Sequence, residues 1–172
     1  MKSIEQVTTA RLIARRICDA DFGDLHRLYS DPLVVATLGG NLRTAEETRS
    51  WLRGEIDRWE KNGFGVWTLR GRDDEQFVGR AGLRRIEIDR RSEVEVLYAI
   101  ASEHWRVGYA TEIARESVRV GFEELRLPSL VAFTLPTNAG SRRVMENAGF
   151  RYERDIEWAG LRHVLYRQFA PR

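Results

Sequence analysis

The feature that most constrains this chain is a strand running through a glycine turn into a helix with a stripe of small residues. Residues 93–101 alternate, with Glu93 and Glu95 on one face and Val94, Val96, Tyr98 and Ile100 on the other. The turn Trp105-Arg106-Val107-Gly108-Tyr109-Ala110-Thr111 follows. It opens a helix whose inward positions, Ala110, Ile113, Ala114, Ser117, Val118, Gly121 and Leu125, recur at i, i+3, i+4 and i+7. Glu112, Arg115, Glu116, Arg119 and Glu123 fall on the outward face of this pattern. The middle of the inward stripe is small (Ala110, Ala114, Ser117, Gly121), so the helix axis can sit close to the sheet and bring its first amides near the strand end. Those amides lack intrahelical partners, and with the helix dipole they suit a phosphate or pyrophosphate. Gly108 gives the turn access to φ > 0 and lets a ligand approach the backbone, and Arg106 can add positive charge.

Elements on either side supply the rest of an α+β sandwich. Leu12, Ile13 and Ile17 suggest a first strand over 9–17. Asp19 reads as an N-cap for a helix carrying Phe22, Leu25, Leu28 and Tyr29, which Asp31-Pro32 ends or offsets before a loop at Gly39-Gly40. Thr44 with Glu47 forms a capping-box pattern for a helix to about residue 61. Strands are expected near 64–71, 76–88 and 130–135, a short helix over 138–148, and a hairpin of 150–158 with 162–169 around Ala159-Gly160. No repeat or Pro/Gly-rich linker interrupts this series, so one domain over 1–172 is expected.

Composition narrows the function classes. Basic and acidic residues nearly balance, 28 against 26. That argues against a nucleic-acid partner, which calls for basic residues concentrated without acidic neighbours. The arginine pairs at 84–85, 90–91 and 142–143 read first as solvated surface charge. Cys18 stands alone and His26, His104 and His163 are scattered, so neither a disulfide within the chain nor a metal site is expected. No apolar run approaches the roughly 18 residues of a membrane span, and Met1 to Val7 has no secretory character, so a cytoplasmic protein is expected. A P-loop and a G-x-G-x-x-G fingerprint are both missing, which disfavours a nucleotide-binding enzyme built on the same helix terminus.

The stretch Trp105 to Glu112 resembles the acetyl-CoA pyrophosphate loop of the GNAT N-acetyltransferases, especially their RimJ/RimL-like branch. Four more pieces match in order: Asp31-Pro32 with Gly39-Gly40, Val78-Gly79-Arg80-Ala81-Gly82, Asn138 with Ser141, and Glu146-Asn147-Ala148-Gly149-Phe150. The resemblance spans nearly the whole chain. It implies a mixed, mostly antiparallel sheet of six to seven strands with about four helices, acetyl-CoA as cosubstrate, and an amine acceptor, either a peptide or a small molecule. The protein would be a monomer or homodimer. Trp105, Arg106, Val107, Gly108, Tyr109, Ala110 and Thr111 would cradle the pyrophosphate. The free backbone groups of Tyr98 and Ile100 would hold the pantetheine arm, and Asn138 would contact the cofactor while also capping its helix. Two loop positions depart from the family, with Trp105 where Gln or Arg is frequent and Arg106 where Gly is frequent. Amide-based binding tolerates both provided that Arg106 avoids φ > 0.

The same resemblance assigns the chemistry. Glu95 matches a glutamate near the acetyl carbonyl, and a carboxylate that takes a proton from the attacking amine contributes typically 10²–10⁴-fold. Many relatives carry a tyrosine four residues before the glycine of the last Gly-Phe pair, as the acid for the leaving thiolate. Met145 stands there, leaving Ser141 or water to serve. Trp158, at the edge of the last hairpin, is a candidate for the acceptor wall, whereas Trp51, Trp59 and Trp67 read as core. A non-catalytic acyl-CoA-binding module on the same fold is the alternative: Met145 favours it, Glu95 opposes it.

Overall fold

The computed structural model describes residues 4–171; the ends of the expected domain, residues 1–3 and Arg172, lie outside the described residues. One sheet runs through the molecule, built from β1 (Gln6–Thr8), β2 (Leu12–Arg16), β3 (Val66–Gly71), β4 (Phe77–Ile88), β5 (Arg91–Ile100), β6 (Ser129–Thr134), β7 (Arg151–Trp158) and β8 (Leu161–Phe169). Its order is β1-β2-β3-β4-β5-β6-β8-β7. Among the described residues, eight strands replace the six to seven expected, because the single strand foreseen over 9–17 is a hairpin that begins at Gln6. Its turn is held by Leu12 N–H donating to Thr9 Oγ1 (3.0 Å).

Among the described residues, five α-helices flank the sheet: α1 (Phe22–Ser30), α2 (Pro32–Leu38), α3 (Ala45–Asn62), α4 (Tyr109–Arg119) and α5 (Ala139–Asn147). Asp19 is not a helix N-cap. It lies in a 3-10 turn over Asp19–Asp21 that precedes α1, and the carboxylate that steadies this turn is Asp21, accepting from Cys18 N–H at 2.9 Å. Asp31-Pro32 does offset the chain: Asp31 Oδ1 accepts from Leu33 N–H and starts α2. The Thr44–Glu47 capping box is formed in both directions.

Strand alternation decides which side chains meet which layer. Arg80 pairs across the ladder with Ala99, and Arg84 with Glu95, so these four share a face. Arg80 reaches Tyr29 of α1 there. Tyr98, one residue out of phase, points to the opposite face and meets Ser141 of α5. Helices α1–α3 therefore cover one side, and α4 with α5 the other.

All neighbouring strands are antiparallel except β5 and β6, which pair in parallel at one position only, Glu95 with Val131. Beyond it the two strands diverge. Ala101 N–H donates to Val78 O, so alternation turns the backbone groups of Tyr98 and Ile100 away from β4 and into that gap. Gly79 helps set this region: at φ +155° a Cβ would lie 2.3 Å from Ala99 O, so only glycine lets β4 run this close to β5. Among the described residues no helix is long and apolar enough to cross a membrane.

Candidate active site

The divergence of β5 and β6 opens a cavity of about 650 Å³. It runs from the turn before α4, past Glu95, to the ends of α2 and the β7–β8 hairpin. Ten of the twelve residues expected at the site line it: Glu95, Tyr98, Ile100, Trp105, Arg106, Gly108, Ala110, Thr111, Asn138 and Ser141. Val107 and Tyr109 do not. The Val107 carbonyl accepts from Arg11 Nη1 (2.8 Å), and the Tyr109 ring lies under the Arg11 guanidinium.

At the turn, Gly108 is left-handed (φ +91°) and precedes the first residue of α4. Arg106 is also left-handed, at φ +66°. The proviso that Arg106 avoid φ > 0 is not met, and the turn carries a strain of about 1–2 kcal/mol that glycine would not. The Trp105 indole N–H donates to Ile100 O (2.8 Å), which ties the loop to the strand end and occupies one of the free acceptors expected of Ile100. Glu112, placed outward by the helical pattern, instead locks the first turn of α4 to the β1–β2 turn. It accepts from Thr9 Oγ1 (2.5 Å), Arg11 N–H (2.8 Å) and Arg11 Nε (2.7 Å). Burial pushes its pKa up, but those hydrogen bonds prevail and hold it below the ordinary carboxylate range.

At the apex, Glu95 is 5% exposed. Its Oε2 accepts from Arg84 Nε (3.0 Å) and Nη2 (2.6 Å), while among the described residues no hydrogen bond reaches Oε1. Burial disfavours the Arg84 charge, yet the attraction and hydrogen bonding of Glu95 outweigh it and raise the guanidinium above its usual value. Of the three arginine pairs read as surface charge, Arg90 and Arg91 are exposed, but Arg84 is an inward-facing partner of the candidate base. Glu93, on the same face, is bound by Arg167 through both oxygens at 2.9 Å and lies outside the cavity lining.

On the other face, the Tyr98 hydroxyl lies 2.9 Å from Ser141 Oγ and 3.1 Å from Ser141 O. Burial pushes the phenol pKa well above its ordinary value, the serine hydrogen bond opposes this, and the Glu95 charge adds to it. Tyr98 thus stays protonated and serves as a hydrogen-bond partner of the serine. Asn138 caps α5, its Oδ1 accepting from Ser141 N–H (3.0 Å), and its Nδ2 donates to Thr37 O (3.3 Å). Met145 is buried in the cavity wall. Trp158, the candidate for the acceptor wall, lines the cavity; so do Arg43, Arg80 and His163, which the sequence did not single out for the site.

The groups present fit a CoA thioester. The cleft exposes strand backbone on one side, and at its end a helix N-terminus lies behind a left-handed glycine that leaves the ligand room. No cluster of three or more His, Cys, Asp or Glu side chains able to hold a metal occurs among the described residues.

A split sheet with a glycine turn and a buried carboxylate at the apex defines an acyl-CoA-dependent acyltransferase fold. The Acetyltransferase (GNAT) domain profile matches residues 11–151, and the chain belongs to this family of acetyltransferases, whose acyl donor is acetyl-CoA. It is 28% identical over 164 residues to "Uncharacterized N-acetyltransferase YoaA" of Bacillus subtilis, covering 95% of this chain and 89% of that one. An acetyltransferase structure from Agrobacterium tumefaciens superposes with a TM-score of 0.84 at 24% identity, covering 98% and 96% of the two chains. RimL, a ribosomal L7/L12 α-N-protein acetyltransferase solved in complex with coenzyme A, superposes at 0.79 with 16% identity, covering 96% and 98%.

Proposed function

We propose that this chain, as one domain over 1–172, transfers the acetyl group of acetyl-CoA directly to a primary amine of low pKa, a peptide N-terminus or an amino sugar. The observation that carries this reading is the free Oε1 of Glu95 at the apex of the split, where Arg84 holds the other oxygen. Acetyl-CoA, when bound, supplies a thioester whose C–S bond breaks as the C–N bond forms, with CoA leaving as thiolate. The amides at the start of α4, and the turn from Trp105 to Thr111, hold the pyrophosphate. Backbone groups of Tyr98 and Ile100, with Asn138, align the pantetheine arm. Glu95 accepts the amine proton through Oε1. Ser141, backed by the Tyr98 hydroxyl, gives a proton to the leaving sulfur.

The low-pKa preference follows from the single carboxylate. An α-amino group is roughly a tenth neutral at pH 7, a lysine-type amine roughly one part in two thousand, so the second asks about two and a half more pKa units of one base. RimL, a ribosomal L7/L12 α-N-protein acetyltransferase, shares the fold and supports this direction. The test is CoA release at pH 7 from paired acceptors: peptides with a free N-terminus and blocked lysine against the reverse, and an aminohexose against a polyamine. Faster turnover of the free N-terminus and the aminohexose is expected. Preference for the lysine amine or polyamine would refute it, as would no release with any amine.

A further inference from the structure

We propose that the acceptor end of the cavity is an oxyanion site, so that the amine acetylated here also carries a carboxylate or phosphate; this rests on the amine-acetylation reading above. The observation is a pair of guanidinium groups left without an anion. Arg80 is 8% exposed, its Nε donates to Tyr29 Oη at 3.0 Å, and its Nη1 is buried with no hydrogen-bond partner. Arg43 has an equally buried and unpartnered Nη1. Both guanidiniums flank the same two rings: Arg43 lies 3.8 Å and 5.3 Å from the Tyr29 and Trp51 centroids, Arg80 5.9 Å and 5.8 Å. Both line the same cavity as Glu95.

Several other arginines have carboxylates. Arg84 pairs with Glu95, Arg70 with Asp24, Arg167 with Glu93, and Arg58 on α3 takes Glu55, whose second oxygen is buried and unpartnered but does not line the cavity. Arg43 and Arg80 form no ion pair among the described residues. Burying a charge without its counter-charge is costly, and the aromatic faces of Tyr29 and Trp51 offset only part of it. An oxyanion entering the cavity meets two open N–H donors beside two net positive charges, the donor chemistry that guanidinium presents to carboxylate and phosphate alike.

Geometry sets the shape of the acceptor. Arg80 and Arg84 share one face of β4, four residues apart, so their backbones are roughly 13 Å apart along the strand. The anion therefore sits several bonds from the nitrogen that reaches Glu95. A short peptide with a free C-terminus and a phosphorylated amino sugar both meet this requirement.

The experiment uses acceptors matched in the amine and differing in the anion: a dipeptide against its C-terminal amide, and an aminohexose 6-phosphate against the parent sugar. CoA release is measured for wild type, Arg80→Gln and Arg43→Gln. In parallel, calorimetry titrates succinate and inorganic phosphate, which have no amine. The anionic member of at least one pair should have a kcat/KM about 10–100-fold higher, as expected for charge-assisted hydrogen bonds. That advantage, and the calorimetric signal of the corresponding anion, should fall in the variants with KM for acetyl-CoA unchanged. The pair that responds identifies the carboxylate or the phosphate. Arg43→Gln, on a half-buried loop residue, keeps the test usable if Arg80→Gln does not fold. Equal rates within both pairs would overturn the inference while leaving amine acetylation intact. Anion binding that depends on Arg43 or Arg80, without CoA release from any amine, would uphold the anion site and sink the acetylation reading instead.

Discussion

Replacing Glu95 with Gln removes one charge and keeps the shape, and the surroundings of this residue set two separate magnitudes. The first is stability. Oε2 now takes two hydrogen bonds from Arg84; in the variant the guanidinium, whose side chain is 23% exposed, faces a neutral amide. Removing one partner of a fully buried pair costs about 3–5 kcal/mol. With partial solvent access and one hydrogen bond retained, roughly 2 kcal/mol is expected, a fall of about 4–8 °C in Tm for a chain of this length. The variant should therefore fold, and thermal melts check this. The second magnitude is the rate. A positioned base is worth about 10²–10⁴-fold, and its value depends on how much of the amine is still protonated. For an α-amino group the neutral fraction rises roughly twentyfold between pH 6.5 and 8.5. If Glu95 removes that proton, the wild-type to variant ratio of kcat/KM should be largest near pH 6–7 and contract by about an order of magnitude at high pH. Steady-state CoA release across this range, on protein shown folded at each pH, measures it. A ratio that stays constant refutes the base role and leaves Glu95 as a residue that positions substrate or water.

Three further expectations address the loop and the leaving group. Gly108→Val puts a β-branched residue at φ +91° with its Cβ 3.3 Å from Arg11 Nη2, and should weaken acetyl-CoA binding about tenfold or more in a folded protein; unchanged affinity by calorimetry removes the pyrophosphate assignment. Arg106→Gly relieves a left-handed residue and should raise Tm by about 2–4 °C for roughly 1 kcal/mol, with a rise in KM for acetyl-CoA if the side chain meets phosphate; a lower Tm contradicts the strain argument. Ser141→Ala should lower kcat with little change in KM for acetyl-CoA, and an intact kcat means that water protonates the sulfur.

Features fixed by nearby residues were readable from the sequence. The Thr44–Glu47 box, the Asp31-Pro32 break and the Ala159-Gly160 hairpin each satisfy their own backbone within a few positions. The β1–β2 turn was not readable because its stability comes from afar: Glu112, about a hundred residues on, takes the Thr9 hydroxyl and the Arg11 amide, and no Gly or Pro marks the bend. The Arg84–Glu95 contact was half legible. Alternation gave the face of Glu95, but the register that sets Arg84 opposite it depends on the β4–β5 turn, where Asp89 and Arg90 both adopt positive φ with no glycine to announce it. Arg80 stood within the Val78–Gly82 match, but its meeting with Arg43 carried no signal because the two belong to different elements, a strand and a loop, and meet only around Tyr29 and Trp51.

The two halves of the candidate chemistry are joined by strand parity alone. Glu95 and Tyr98 are three positions apart on β5, an odd spacing, so the carboxylate faces α1–α3 while the phenol and Ser141 face α4 and α5. A base and an acid on opposite faces can act on one carbon only where the sheet is open between them. Just past the Glu95–Val131 pair, β5 and β6 separate. Burial raises the Tyr98 phenol most, the Ser141 hydrogen bond lowers it, and the Glu95 charge adds a smaller rise. An even spacing would put both groups on one side of the sheet. A one-residue slip of β5 would exchange the two faces, taking Glu95 away from Arg84 and Tyr98 away from Ser141 together.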